Sequence, residues 1–402
     1  MVILRLLVRA LCQLDLNGQS SVKKICFMVA TPFTANAFLL EHLKALSLRY
    51  QISLCLNQSL YPLLPDFVNS GIRIINIPIE RKLSPLSDLK ALKSLLIIFK
   101  REKFASVHTF TPKAGLLGMF AAYLCAVPIR LHTFTGQVWV NDNGFKRWFY
   151  KNMDRAIIFF STQVFCDSAS QGKFLQDERM VKKNAISVIG DASISGVNLE
   201  RFHPQADKKL DNYFLQLAIQ GHFNFLFVGR IARDKGIFDL IQAFVGVYQE
   251  NPLASLWVVG PDEEGLRADI EQKFPNLKGV HWLGPSTNPE LFMANADVLV
   301  LPSYREGFGT VIIEAAACKT PAIAYRIDGV VDAIEDGQSG ILVNKGDFRA
   351  LELAMKSVMI NPNLNSKLGE YAYQRAVASF SAKKITSCWL NLYESILPVE
   401  MA

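Results

Sequence analysis

Residues 297–317 read DVLVLPSYREGFGTVIIEAAA, and this stretch sets the pattern for the whole chain. Asp297–Pro302 predicts a short buried strand, because it is mostly apolar and ends at a proline. A turn with two glycines follows, and the apolar run Thr310–Ala317 predicts a helix. A strand that leads through a tight polar loop into a helix is the repeating unit of a parallel α/β sheet.

Two acidic residues flank this turn. Glu306 lies at the mouth of the loop, and Glu314 lies about two turns into the helix. Helix capping is the alternative for Glu306, and an exposed helix face is the alternative for Glu314. An unpaired carboxylate inside the apolar run VIIEAAAC would nevertheless be unfavourable. Because backbone N–H groups at the helix start can seat a phosphate, two hydroxyl acceptors around that seat predict a pocket for a sugar nucleotide.

The alternation of strand and helix runs through both halves of the chain. It begins at Lys23–Ala30 and begins again at Phe223–Val228, with a run of small polar residues between about 190 and 204. A chain of 402 residues is too long for one ordinary core. We therefore expect an α/β protein with two facing, doubly wound, Rossmann-like domains, residues 1–200 and 201–380, whose ligands lie in the cleft between them.

The charge is divided unevenly between the halves. Residues 1–200 hold 24 Lys and Arg against 13 Asp and Glu, whereas residues 201–402 hold 19 against 23. A basic first half favours contact with an anionic membrane surface or a phosphorylated lipid. Nucleic acid is the rival interpretation, but no nucleic-acid-binding signature supports it. Seven scattered cysteines without a CxxC motif predict neither a disulfide framework nor a zinc site, and indicate a reducing, cytoplasmic compartment.

Three segments bear on the membrane. Met1–Leu14 is apolar but interrupted by arginines, which predicts either an interfacial helix or a simple extension. Ala114–Ile129 is uncharged but too short to span a bilayer, so we expect a buried helix that runs into a strand. Trp139–Arg155 mixes basic and aromatic residues, which suits peripheral membrane contact; a helix with a solvated basic face is the alternative.

A second loop carries cations. Gly229–Gly236, GRIARDKG, follows the predicted strand Phe223–Val228 and contains Arg230 and Lys235, which could stabilise a leaving diphosphate. Taken alone, this segment is more simply interpreted as a solvated basic loop. The acidic turn in the same half of the chain instead favours a role in binding the diphosphate. Neither Asp-x-Asp nor HExxH occurs, and GxxxxGK[ST] is absent, so the sequence favours no metal and no P-loop chemistry.

The order of these motifs resembles a known family. GRxxxxKG, then LPSxxEGFGxxxxEAxACxxPxIA, then GxSGILV resembles the retaining glycosyltransferases of family 4, which have the GT-B fold. The resemblance implies that Arg230 and Lys235 bind the donor diphosphate and that Glu306 contacts the donor sugar. It implies further that Gly307, Phe308, Gly309 and Thr310 offer backbone N–H groups to phosphate and that Glu314 accepts the ribose hydroxyls.

The resemblance continues more loosely into the first half. His108–Gly115 and His132–Trp139 look like the acceptor-side loops of bacterial members that build O-antigen, capsule or other lipid-linked glycans. It implies that His108, His132 and Thr31 are candidate acceptor or phosphate contacts, although either histidine alone is more often a core residue. The loop Thr31–Phe38 departs from the family because it lacks the usual glycines. The family also implies that the C-terminal helix, residues 381–402, packs back onto the first domain.

These features together predict a metal-independent, retaining glycosyltransferase with Glu306, Lys235 and Arg230 at its catalytic centre. Its donor would be a nucleotide sugar, as co-substrate and without a cofactor, most plausibly a UDP-linked hexose or N-acetylhexosamine. Its acceptor would be a lipid-linked or growing cell-surface glycan, such as lipopolysaccharide or capsule, at the inner face of the cytoplasmic membrane. A GT-B sugar-nucleotide epimerase and a non-catalytic subunit of a glycan assembly complex are the alternatives.

Overall fold

The computed structural model describes residues 22–80, 84–182, 185–205, 221–275 and 277–398. The segment Met1–Leu14, expected as an interfacial helix or an extension, lies outside these residues. The described chain forms two parallel sheets, one of seven strands and one of six, each flanked by helices. This confirms the prediction of two Rossmann-like α/β domains.

The first sheet has the strand order β3-β2-β1-β4-β5-β6-β7. Its strands are β1 Lys24–Met28, β2 Gln51–Leu56, β3 Arg73–Asn76, β4 Ser106–Phe110, β5 Ile129–Phe134, β6 Gln163–Cys166 and β7 Ile186–Val188. Its helices are α1 Pro32–Phe38, α2 Leu40–Ser47, α3 Asp66–Asn69, α4 Pro85–Glu102, α5 Pro112–Leu124, α6 Gly144–Phe160 and α7 Ala169–Asp177. Strand β1 lies inside the sheet: Ile25 lies opposite Ile52 of β2 and Ser106 of β4.

The second sheet repeats this arrangement with the order β10-β9-β8-β11-β12-β13. Its strands are β8 Phe223–Val228, β9 Ala254–Val259, β10 Val280–Gly284, β11 Val298–Leu301, β12 Ala322–Arg326 and β13 Gly340–Asn344. Its helices are α8 Ile237–Glu250, α9 Leu266–Lys273, α10 Pro289–Met293, α11 Thr310–Ala317, α12 Val330–Ala333, α13 Phe348–Ile360 and α14 Pro362–Phe380, with a 3₁₀ turn at Arg233–Lys235.

The strand order fixes where a ligand can bind. In each sheet the order reverses at the first strand, between β1 and β4 and between β8 and β11. Loops leave these neighbouring strands in opposite directions, so a crevice opens at the carboxyl ends. The loops that follow β8 and β11 are those singled out from the sequence, Gly229–Gly236 and residues 302–309.

The chain passes between the domains twice, and the two crossings touch. The Val197 N–H donates to the Phe380 carbonyl at 2.7 Å, and the Ala382 N–H donates to the Val197 carbonyl at 2.8 Å. The last helix, α15 Ala382–Ile396, then packs against α2 of the first domain. Its Trp389 and Tyr393 are fully buried in the core beneath the first sheet.

No helix among the described residues is long and apolar enough to cross a membrane. The uncharged segment Ala114–Ile129 forms most of helix α5, with Ala114 and Gly118 buried, and ends at the start of β5. The prediction of a buried helix that runs into a strand is therefore confirmed.

Candidate functional site

An ion pair joins the two loops at the crevice of the second domain. Lys235 Nζ lies 2.6 Å from Glu306 Oε1, and the two side chains are 18% and 13% exposed. Lys235 belongs to the loop after β8 and Glu306 to the loop after β11, so each strand contributes one charge. The pair therefore lies at the point where the topology places a ligand.

Close backbone contacts hold the two loops together. Gly236 has φ +69°, and a Cβ there would lie 1.9 Å from the Pro302 carbonyl oxygen, so this position requires glycine. The Tyr304 N–H donates to the Asp234 carbonyl at 2.8 Å. Lys235 thus lies between two residues that are fixed to the neighbouring loop, which limits how far its ammonium group can move.

Arg230 lies in the same loop, between acidic side chains. Its guanidinium is 3.2 Å from Glu263 and 3.5 Å from Asp234, and Arg305 contacts Asp234 at 2.9 Å. Burial opposes ionisation of Asp234, but the charges of Arg230 and Arg305 lower the pKa of this carboxyl below its ordinary value. The loop therefore offers cations that are already oriented by carboxylates.

The turn between the acidic residues leads into the N-terminus of α11. Gly309 takes the left-handed conformation, φ +82°, immediately before Thr310 starts the helix. Phe308 is buried and its ring packs 5.3 Å from that of Phe380. The Phe308 side chain thus anchors the turn in the core, so that only its backbone can serve a ligand. The first N–H groups of α11 have no partner within the helix, as the anion seat requires.

Glu314 is half-buried on α11, near Arg201 and Glu290. Burial raises the pKa of its carboxyl to about 7; the charge of Arg201 opposes this shift and that of Glu290 adds to it. Arg201 itself binds Glu290 at 2.8 Å. Within the described part of the chain no side chain donates a hydrogen bond to Glu314, so this carboxylate is available to a hydroxyl group.

The first domain closes directly onto the acidic turn. A Cβ at Gly307 would lie 2.7 Å from Asp167 Oδ2 and 2.8 Å from the Thr135 carbonyl oxygen. Ser168 Oγ donates to the Gly307 carbonyl at 3.3 Å, and the Gly329 N–H donates to Ser170 Oγ at 2.7 Å. Glycine at 307 is thus required by the approach of the other domain.

Asp167 is a residue of this site that the sequence interpretation missed. It follows β6 and is buried, and its Oδ1 accepts no hydrogen bond from the described residues. Burial raises the pKa of this carboxyl to about 7; a hydrogen bond from the Ile194 N–H opposes the shift, and the nearby charge of Glu306 adds to it. The available signal was a carboxylate at the end of the short run Gln163–Asp167, which as a parallel strand would place it at the edge of the sheet where ligands bind.

The structure corrects the expectation for His108. This residue is fully buried; its Nδ1 is 2.8 Å from Tyr393 Oη and its Nε2 is 2.8 Å from Thr133 Oγ1. Its ring also stacks on Phe110 at 4.4 Å. Since both ring nitrogens are used within the core, His108 cannot contact an acceptor in this conformation.

The other two acceptor-side candidates stay predictions. His132 is 1% exposed, its Nδ1 lies 2.8 Å from Thr109 Oγ1, and burial lowers the pKa of its ring to about 3. Thr31 precedes α1 after the first strand, with its hydroxyl 3.4 Å from that of Thr34. Thr31 lies on the loop after β1, whereas His132 lies within strand β5.

The segment Trp139–Arg155 is less basic at its surface than its sequence indicated. Arg147 and Lys151 of α6 both turn inward to Glu178, at 2.7 and 2.6 Å, and both lie over the Trp139 ring. Helix α6 exposes aromatic and basic side chains together: Phe145 is 76% exposed, Trp148 59% and Phe159 72%, and Lys146 and Arg155 are also exposed. Of the four cations in this segment, two are therefore paired within the domain and two remain at the surface beside the aromatic side chains, so peripheral membrane contact and a solvated basic face both stay predictions.

Within the described ranges, no three His, Cys, Asp or Glu side chains cluster closely enough to hold a metal ion. The positive charges that the described residues bring to this site are those of Arg230 and Lys235.

Two family models match the chain. The model described as Glycosyl transferase 4-like domain matches residues 36–191, and the model described as Glycosyl transferases group 1 matches residues 212–375. Among curated proteins, the capsular polysaccharide biosynthesis glycosyltransferase CapM of Staphylococcus aureus is 31% identical over 326 residues, which are 80% of this chain and 84% of CapM. A UDP-Gal:alpha-D-GlcNAc-diphosphoundecaprenol alpha-1,3-galactosyltransferase of Escherichia coli is 29% identical over 310 residues, which are 75% of this chain and 79% of that enzyme.

Known structures share the architecture. Sucrose-phosphate synthase from Thermosynechococcus elongatus superposes with a TM-score of 0.77 at 21% identity, covering 93% of this chain and 99% of its own. Anabaena HepE, in complex with UDP-glucose, superposes with a TM-score of 0.73 at 19% identity, covering 92% of this chain and 99% of its own. The fold of two facing Rossmann-like domains is that of the GT-B glycosyltransferases.

The sequence matches then assign the chain to a family within the GT-B fold. Because the two family models cover most of the chain and CapM is similar over most of its length, the protein belongs to the GT-B glycosyltransferases of the family 4 type. It is a glycosyltransferase, as the order of its motifs predicted.

Proposed function

We propose that this protein is a retaining, metal-independent glycosyltransferase that moves a sugar from a nucleotide sugar to a lipid-linked or growing cell-surface glycan. The observation that carries the proposal is the Lys235–Glu306 pair, 2.6 Å apart, beside the N-terminus of α11 at the crevice of the second domain. This arrangement offers a cation and free backbone N–H groups to a diphosphate and a carboxylate to sugar hydroxyls.

The donor would lie along the second domain. Arg230, Lys235 and the N–H groups of Gly307–Thr310 would hold its diphosphate, and Glu306 its sugar. The half-buried Glu314, with its raised pKa, would accept the ribose hydroxyls. UDP-glucose is bound in the structurally similar HepE, which supports a UDP-linked hexose or N-acetylhexosamine as donor here.

The chemistry needs no protein nucleophile and no cofactor. An acceptor hydroxyl oxygen forms a bond to the anomeric carbon on the face that the diphosphate leaves. The bond from that carbon to the phosphate oxygen breaks, and the acceptor proton passes to the departing diphosphate, so the charges balance. Lys235 and Arg230 would stabilise the negative charge that develops on the leaving group, which lowers the barrier.

The acceptor assignment is supported by relatives. CapM is named for capsular polysaccharide biosynthesis, and the Escherichia coli relative for a sugar acceptor on diphosphoundecaprenol. A relative from Campylobacter jejuni, 25% identical over 81% of this chain, is also named for a diphosphoundecaprenol-linked acceptor. By similarity, the first domain of this chain would face such a lipid-linked glycan.

Such an acceptor would require the cleft to approach a membrane. The aromatic side chains Phe145, Trp148 and Phe159 of α6, here called the aromatic stripe, are exposed. Phe145 and Trp148 lie in the first turns of this helix, which follows β5 in the chain. Aromatic rings favour the membrane interface, and the basic first half favours anionic lipid. We propose peripheral contact with the inner face of the cytoplasmic membrane through this stripe.

A transfer assay tests the function. Purified protein is incubated with UDP-glucose, UDP-galactose, UDP-N-acetylglucosamine or UDP-N-acetylgalactosamine, and with detergent-solubilised sugar-diphosphoundecaprenol acceptors. We expect one pair to give a glycolipid product whose anomeric proton coupling in NMR shows retention, with undiminished turnover in EDTA. Epimerised donor without acceptor would instead indicate the epimerase, and calorimetric donor binding without any turnover would indicate the non-catalytic subunit.

Vesicle sedimentation tests the membrane contact. Trp148→Ser combined with Phe145→Ser should lower binding to vesicles containing phosphatidylglycerol at least five-fold, since two interfacial aromatic rings are lost. Leu353→Ser, at an equally exposed apolar residue of the second domain, is the matched control. Equal binding by the α6 variant and the control would contradict the assignment of this surface.

A further inference from the structure

A second side-chain contact joins the two loops of the donor site beside the Lys235–Glu306 pair. Asp239 lies in the first turn of α8, one helical turn after Lys235, and Tyr304 lies just before Glu306 in the loop after β11. The Tyr304 hydroxyl donates to Asp239 Oδ2 at 2.6 Å, within the range for a short hydrogen bond to a carboxylate. The segment that contains Lys235 and Asp239 therefore contacts the loop of Glu306 twice.

The Asp239 carboxylate accepts two tyrosine hydroxyl groups. Tyr325 of β12 also donates to Asp239 Oδ2, at 2.7 Å, and its ring lies 5.8 Å from that of Tyr304, edge to face. Burial, together with the Asp239 carboxylate, raises the pKa of Tyr304 to about 12 and also raises the pKa of Tyr325. Both phenols therefore stay protonated near neutral pH and remain hydrogen-bond donors.

A carboxylate in the first turn of a helix also has a purely structural explanation, because it stabilises the N-terminal end of the helix dipole. That explanation does not account for two phenols on one oxygen of Asp239. Tyr325 is fully buried in the core of the second domain, whereas Tyr304 is half-buried on the loop that carries Glu306. Tyr325 thus fixes Asp239 to the sheet, and Asp239 in turn fixes the loop through Tyr304.

Donor binding would weaken the first contact but not the second. In the proposed function Lys235 binds the diphosphate and Glu306 binds the sugar, so their mutual attraction no longer holds the loop as tightly. The Asp239–Tyr304 hydrogen bond includes neither of these groups. The Tyr304 N–H also donates to the Asp234 carbonyl at 2.8 Å, so two separate bonds at this residue limit rotation of the loop.

We propose that Asp239 is a positioning residue that holds Glu306 in place for sugar transfer through the hydroxyl of Tyr304. The inference rests on the proposed function, in which Glu306 contacts the donor sugar. A displacement of about 1 Å at a positioned group can lower a rate by about 100-fold, so a fixed loop matters for turnover. Asp239 itself touches no substrate in this assignment.

Steady-state kinetics of Tyr304→Phe and Tyr325→Phe test this role, because each variant removes one hydrogen bond to the same carboxylate oxygen. Tyr304→Phe should lower kcat by about five-fold or more, since the loop of Glu306 loses its side-chain attachment. Tyr325→Phe is the matched control. It should keep kcat within about two-fold of wild type, although urea denaturation should show at least as large a loss of stability, because Tyr325 is fully buried.

A double-mutant cycle separates a positioning role from direct substrate contact. Asp239→Ala should lower kcat about as much as Tyr304→Phe, and combining the two changes should cause no further loss, because both break the same link. A further loss in the double variant would mean that the Tyr304 hydroxyl acts on a substrate directly, and would overturn the inference.

Calorimetry separates failure of this inference from failure of the proposed function. With the four UDP-sugars of the transfer assay as probes, Tyr304→Phe should raise the Kd for the bound UDP-sugar about three-fold or more, since Glu306 is less well placed. The Kd for UDP, which lacks the sugar, should stay within about two-fold.

If the wild-type protein transfers sugar but Tyr304→Phe keeps the wild-type kcat and Kd, the positioning role is refuted and the proposed function stands. An equal loss of kcat in Tyr325→Phe also refutes it, because the effect would then come from the core. If the wild-type protein binds a UDP-sugar without transferring it, the proposed function fails and the two Kd values still decide the role of Asp239. Thermal unfolding confirms that each variant is folded, and the two tyrosine variants supply the test should Asp239→Ala not fold.

Discussion

At the residue scale, burial and the number of existing partners distinguish ligand-binding groups from structural ones. Lys235 and Glu306 are paired across two loops, and each keeps a small part of its side chain exposed at the crevice. His108 is buried and both of its nitrogens are bonded. The sequence could place Lys235 and Glu306 together because each directly follows a buried strand. It could not show that His108 is structural, because its partner Tyr393 lies 285 residues away.

Tyr393→Phe tests the structural role of His108. The variant keeps the aromatic ring but loses the hydroxyl that bonds to His108 Nδ1, so the free energy of unfolding should fall by about 1 kcal/mol. Chemical denaturation measures this loss, and kcat should stay within two-fold of the wild-type value. A fall in kcat of ten-fold or more with unchanged stability would restore His108 as a ligand contact.

At the scale of elements, the pattern of strands and helices could be predicted because buried parallel strands are short, nearly continuous apolar segments of the sequence. The segment Thr31–Phe38 was interpreted as a loop, but Pro32–Phe38 forms helix α1, because Pro32 starts a helix directly after the first strand. Helix α6 shows a further limit. Its cations were visible in the sequence, but their inward pairing with Glu178 depends on tertiary contacts.

The pH dependence of stability tests how α6 is anchored. Asp154 of this helix is buried and accepts the Trp139 Nε1–H at 2.7 Å; burial raises the pKa of its carboxyl to about 7, although this hydrogen bond opposes the shift. Its folded pKa is above its ordinary value, so its contribution is largest in acid and is lost as the pH rises towards 7. Asp154→Asn should gain about 2 kcal/mol relative to wild type between pH 5 and pH 8.

Urea denaturation at a series of pH values measures this gain. Asp177→Asn, at an exposed residue of α7, is the control and should follow the wild-type pH profile. Parallel profiles for Asp154→Asn and wild type would mean that Asp154 is ionised throughout this range in the folded protein.

At the scale of the whole molecule, the site depends on both domains. The residues proposed to bind the donor, here called the donor cradle, all belong to the second domain. However, Thr135, Asp167 and Ser168 of the first domain lie against Gly307. The two-domain fold followed from the repeated strand pattern. The contacts across the cleft did not, because the relative placement of two domains is not encoded in the periodicity of either one.

Gly307→Ala tests the need for this close approach. The added methyl group would lie 2.7 Å from Asp167 Oδ2, so the domains must separate or shift. We expect kcat to fall at least ten-fold, while calorimetry should show UDP binding within three-fold of wild type because the cradle is intact. Unchanged kcat would show that the approach of Thr135 and Asp167 to the turn is not needed for transfer.

The central claim is that the Lys235–Glu306 pair holds the donor for sugar transfer. The most direct measurement is kcat for Lys235→Ala and Glu306→Gln in the glycolipid transfer assay, with Lys319→Ala, which breaks an exposed ion pair with Glu370, as the control. Loss of one such charge-stabilising group should lower kcat by about 100-fold or more, with thermal unfolding little changed. Wild-type turnover by both variants would contradict the account.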